Sequence, residues 1–115
     1  GSESTSEQLG PFPQSLRWIR APLSEYSQSD ALVLAMWAVE PAEAREFSFP
    51  CRVSVEQTGA ASRILWRTRT LSGRAAIRLP GPGEYVLRVE MVDADPAVAP
   101  LQATIRVTPQ RPGLP

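Results

Sequence analysis

The stretch from Leu79 to Val92, L-P-G-P-G-E-Y-V-L-R-V-E-M-V, decides the fold. A tight Pro/Gly corner leads into Tyr85, and from Leu87 to Met91 apolar and polar residues alternate. Tyr85, Leu87, Val89 and Met91 fall in one phase, with Arg88 and Glu90 in the other. Alternation at period two is the mark of a strand that buries one face. A strand of this kind needs a second apolar layer, and other segments of the chain supply it.

Working outward, Arg74 to Leu79 sends Ala75, Ile77 and Leu79 inward and Arg74 and Arg78 outward. Leu101, Ala103, Ile105 and Val107 form a last inward face against Gln102, Thr104, Arg106 and Thr108. Cys51, Val53 and Val55 alternate with Arg52, Ser54 and Glu56. Arg63 to Thr70 places Ile64 and Trp66 on one face, with Arg63, Arg67 and Arg69 opposite beside Leu65. Ser15 to Arg20 reads as a first edge strand, Leu16 and Trp18 facing in and Arg17 out, with Pro22 stopping it or making a bulge.

The run Ala31 to Val39 fits two structures. Asp30 could cap a helix, which Ala, Leu and Met favour and Pro41 would end. The run equally suits a central strand, buried on one face and part-covered on the other. We read it as strand, because every later segment does and a lone helix would need its own cover. Pro41 to Pro50 is then a charged connection with room for a helical turn before Phe47 and Phe49 return to the core. The total is about seven antiparallel strands in two sheets, with turns spaced as in a Greek-key β-sandwich. The sandwich spans residues 15–109, after a polar lead-in at 1–14 and before a Pro-rich, linker-like tail at 110–115. Gly1-Ser2 reads as a pair left by cloning, and no signal-peptide pattern follows it.

Composition narrows the chemistry. There are 115 residues, enough for one domain with a real core. Twelve prolines and seven glycines suit short strands joined by turns. The chain has no His, Lys or Asn, and all twelve basic residues are Arg, which we read as the codon usage of a GC-rich bacterial genome. Without His there is no Ser-His-Asp triad or imidazole base; without Lys there is no Schiff base or Walker loop. The carboxylates Glu40, Glu43 and Glu46 read as a solvated surface, so no enzyme activity and no cofactor are expected. Zero net charge leaves no global drive toward nucleic acid or anionic lipid. One cysteine, Cys51, rules out an internal disulfide and reads as a small buried hydrophobe. The longest apolar run is too short to span a bilayer, so no membrane insertion is expected.

Leu79, followed across the Pro/Gly corner by Tyr85, resembles the E–F corner of fibronectin type III and other immunoglobulin-like domains. The resemblance implies an immunoglobulin-like β-sandwich in which the Tyr85 hydroxyl hydrogen-bonds back to corner backbone. It extends through Val89 and loosely over Leu101 to Val107. The immunoglobulin cysteine pair and an integrin-type Arg-Gly-Asp loop are absent.

The candidate sites are few. Asp93 and Asp95, in a loop between strands, are the residues a calcium ion would use, although turn chemistry accounts for them as well. Outward arginines form stripes: Arg63, Arg67, Arg69, Arg74 and Arg78 on neighbouring segments, and Arg52, Arg88 and Arg106 on strands expected to pair. Such stripes can grip carboxylates or an acidic glycan, or simply be a solvated face balanced by Glu56, Glu84 and Glu90. Trp37 and Trp66 read as core. Trp18, on an edge, is the tryptophan placed to serve as a ligand platform. The function expected is a non-catalytic module of a larger extracellular, periplasmic or cell-surface protein, bound to protein partners or neighbouring domains. The alternatives are a carbohydrate-binding accessory module and an assembly subunit that pairs by its edge strands.

Overall fold

In the computed structural model the described residues are 12–28, 31–46, 49–59, 61–94 and 97–109. Most of the lead-in, the tail at 110–115, Phe47 and Asp95 lie outside them. The fold is all-β. Among the described residues eight strands run in chain order: β1 (Ser15–Arg20), β2 (Glu25–Ser27), β3 (Leu32–Glu40), β4 (Cys51–Gln57), β5 (Arg63–Thr70), β6 (Arg74–Arg78), β7 (Gly83–Met91) and β8 (Leu101–Thr108). A short 3-10 helix, Ala42–Glu46, joins β3 to β4. Its Ala44 is fully buried.

The strands form two sheets, ordered β1-β3-β6 and β2-β8-β7-β4-β5. Pairing is antiparallel except for β2, which runs parallel to β8 over Glu25 to Ser27. This three-residue strand is the one the sequence does not show, since its pairing depends on a partner some eighty positions away rather than on local alternation. Tyr26 anchors it: the ring is buried, and its hydroxyl accepts the Leu23 N–H at 3.0 Å.

The two inner faces make one core. Leu16, Val33, Ala35, Trp37 and Ile77 come from the three-stranded sheet. Cys51, Val53, Val55, Tyr85, Leu87, Val89, Ile105 and Val107 come from the five-stranded sheet. Each fully buried Val, Leu or Ile side chain contributes about 1.5–3 kcal/mol relative to exposure. The alternation of β4, β7 and β8 therefore translates directly into burial.

The opening stretch carries the chain from one sheet to the other. At its start Leu79 is buried and its N–H donates to the Ala31 carbonyl at 2.9 Å, beside the three-stranded sheet. At its end Tyr85 is wholly buried in the five-stranded sheet, and its hydroxyl donates to the Gly81 carbonyl at 2.6 Å. Gly83 sits between them at φ 147°, where a Cβ would lie 2.9 Å from the Gln57 side chain. The positive φ favours glycine there, whereas the Gln57 amide, at the end of a flexible side chain, has room to move aside.

Two expectations need correction. Ala31 to Val39 is a strand, but its second face is not covered: Leu32, Leu34 and Met36 are 41%, 41% and 40% exposed. The apolar run is long enough to fill both phases of β3, while the fold lays a second layer on one side only. Ile64 does not share the inward phase of Trp66. A bulge between Val55 and Glu56 shifts the β4–β5 register, so Ile64 stands opposite Glu56 and is half exposed. Leu65 and Trp66 pack against the core instead. An extra residue in one strand reverses the phase beyond it.

Candidate functional site

The arginines that neighbour one another in sequence are divided between opposite sides of the sandwich. Arg63, Arg67 and Arg69 lie on β5, the edge of the five-stranded sheet, whereas Arg74 and Arg78 lie on β6, in the three-stranded sheet. The chain changes sheets between them through Leu71 to Gly73. Gly73 has φ 73°, and a Cβ there would come within 2.9 Å of the Trp37 carbonyl oxygen.

On the outer face of the five-stranded sheet, Arg52 and Arg88 come together as expected. The register sets Arg88 opposite Ser54 and Glu90 opposite Arg52. Glu90 takes both guanidinium groups, Arg88 Nε at 3.2 Å and Arg52 Nη1 at 3.9 Å. These residues, with Arg67, Glu56 and Ile64, line a shallow basin of about 250 Å³. Arg106 lies on the same face, nearer the β2 edge, and pairs with Glu84 at 3.2 Å. Arg63 is exposed at the start of β5, opposite Gln57. The Ser62 hydroxyl donates to the Glu56 carboxylate. Acids therefore interleave with the arginines across this face. Exposed pairs of this kind are worth about 0–1 kcal/mol each.

Trp18 occupies the inward phase of β1 and is half-buried against the core. It faces Trp37 edge-on, with ring centroids 6.4 Å apart and planes at 84°. Cys51 is buried, and burial pushes its thiol up while a hydrogen bond from the Trp37 side chain opposes the shift. Both effects belong to packing: desolvation disfavours the thiolate, which is the reactive form. Asp93 takes φ 62° in its turn, and its exposed carboxylate lies 4.0 Å from Arg69. Among the described residues, no three His, Cys, Asp or Glu converge as a metal site would require. None of the described helices is long and apolar enough to cross a membrane.

The most distinctive surface lies on the other side. In β3, Leu32, Leu34 and Met36 point away from the core. Antiparallel register places Arg78, Ala76 and Arg74 of β6 directly opposite them. From β1, Arg20 stands opposite Met36 and Arg17 opposite Ala38. Residues directly opposite in an antiparallel pair share a face. Met36 therefore has an arginine on either side, in the row Arg20–Met36–Arg74. A groove of about 420 Å³ runs here, lined by Arg20, Leu34, Met36, Ser72, Arg74 and Ala76. A second, smaller depression shares Arg20 and Leu34 and continues along Leu32 toward Leu23 and Tyr26.

Charge on this face is one-sided. Of the residues in β1, β3 and β6, only Glu40 is acidic, and Arg17 holds it with Nε at 2.9 Å. Among the described residues, Arg20, Arg74 and Arg78 make no ion pair. Sequence reading assigned Arg74 and Arg78 to the same stripe as Arg63 to Arg69 and treated the outer phase of β3 as part-covered. The available signal was the phase itself: Leu32, Leu34 and Met36 alternate with Val33, Ala35 and Trp37. No protein-family model matches the chain, and no curated protein is found to be similar to it.

Proposed function

We propose that the chain is an immunoglobulin-like, fibronectin type III-like module that works without catalysis, by protein–protein contact, within a larger extracellular, periplasmic or surface protein. Two features support the family reading. Tyr85 hydrogen-bonds back to Gly81 at the corner before its strand, as in a tyrosine corner. The division of β1, β3 and β6 from β4, β7 and β8 also follows the A, B, E against C, F, G arrangement of such domains.

The observation that carries the contact reading is the exposed stripe of Leu32, Leu34 and Met36 on the central strand of the three-stranded sheet. Contiguous apolar surface rimmed by polar groups characterises interaction sites, because leaving it in water forgoes the hydrophobic free energy of covering it. A carbohydrate platform is less well supported, since Trp18 is turned toward Trp37 rather than presented to solvent. Edge pairing is also less well supported. Edge strand β5 carries Arg63, Arg67 and Arg69 and a bulge in its pairing with β4, both devices that keep edges apart.

Site-specific photo-cross-linking in the parent protein tests this reading. A photoreactive residue at Leu34 is expected to trap a polypeptide, and the same group at Thr104, on the outer face of β8, is not. Adducts to polypeptide that are equal at both positions, or that form only with glycan, overturn it.

A further inference from the structure

We infer that the outer face of the β1-β3-β6 sheet docks an acidic amphipathic helix of a protein partner. This rests on the contact reading above and specifies the chemistry of what covers the stripe. From Leu32 to Met36 the apolar row is about 13 Å long at the usual rise of a strand. That matches roughly two turns of helix presenting apolar side chains at i, i+3, i+4 and i+7. A helix laid on a sheet face is also one of the few layer arrangements that bury both elements.

The charges determine the sign of the partner. Arg20 and Arg74 flank Met36, and Arg78 stands opposite Leu32. An uncharged apolar partner would desolvate these guanidinium groups without compensation, at considerable cost. A second copy of the chain would set the same arginines against each other, with only Glu40, already held by Arg17, to offset them. Carboxylates bordering an apolar helix face answer both requirements, since arginine binds carboxylate through two parallel hydrogen bonds. The sides of the groove favour a discrete helix over a lipid surface, because Arg20, Ser72 and Arg74 border Leu34 and Met36 instead of leaving them proud.

The test is selection of a displayed library of random peptides on the immobilised domain. Sequences rich in Asp and Glu, with apolar residues at helical spacing, are expected to be enriched. Reversing Arg74 and Arg78 together to Glu is expected to weaken their binding by about tenfold or more. Arg67→Glu, on the opposite sheet, is expected to leave it unchanged. All these side chains are exposed, and an unchanged thermal melt confirms that each variant is folded. Enriched peptides without an acidic excess, yet lost on Leu34→Gln, overturn the acidic partner and leave the contact face standing. Enrichment that survives Leu34→Gln, no enrichment, or retention by phosphatidylserine vesicles instead, overturns both.

Discussion

Replacing Tyr85 by alanine is expected to remove about 3–5 kcal/mol of folding free energy, the range for truncating a large buried aromatic. Tyr85 is 0% exposed and sits where the corner from β6 enters β7. A domain of this size holds about 5–15 kcal/mol in total, so the variant stands close to the limit of folding at room temperature. Tyr85→Phe separates the two parts of the effect. It keeps the ring and removes only the hydrogen bond to the Gly81 carbonyl, and is expected to cost about 0.5–1.5 kcal/mol. Urea unfolding of the three proteins, with unchanged m-values, measures both steps. A phenylalanine variant as stable as the parent would show that packing alone secures the corner.

The second large effect is expected at Trp37. Its side chain fills the three-stranded side of the core, opposite Trp18 in register and edge-on to it. Trp37→Ala is expected to cost about 3–5 kcal/mol. Trp18→Ala is expected to cost less, since Trp18 is only half-buried. If the edge-to-face contact contributes beyond area, a double-mutant cycle finds a coupling of about 0.5–1.5 kcal/mol between the two rings. Simple additivity would reduce the pair to two independent burials.

How much of this was legible in the sequence differs from strand to strand, for physical reasons. Tyr85 to Met91 and Cys51 to Val55 were readable because each, Val86 apart, alternates apolar with polar residues and each buries a single face. The Tyr85 corner was readable because its hydrogen bond is local, four residues apart. β3 was readable as a strand but not in its exposure, because apolar residues fill both phases and only the assembled fold determines which phase has a sheet above it. Ile64 was misplaced for a related reason. Ile64, Leu65 and Trp66 are all apolar, so the pattern survives a shift of one residue and the bulge leaves no trace in it.

The candidate site followed the same logic. Arg52 and Arg88 were brought together as expected because their strands pair directly and their outward phases coincide. Grouping Arg74 and Arg78 with Arg63, Arg67 and Arg69 failed because the four residues between Arg69 and Arg74 are enough for the chain to cross from one sheet to the other. The row Arg20–Met36–Arg74 joins three strands scattered along the chain. It becomes visible only when the pairing of β1, β3 and β6 is known.

The claim that the module works through the exposed face of β3 is tested most directly by its two methionines. Met36 is 40% exposed on that face, whereas Met91 is 9% exposed at the end of β7. Mild peroxide treatment followed by mass spectrometry compares the isolated module with the parent protein bound to its partners. Met36 is expected to oxidise readily in the isolated module and to be protected in the assembly, with Met91 protected in both. Equal oxidation of Met36 in the two states would contradict it.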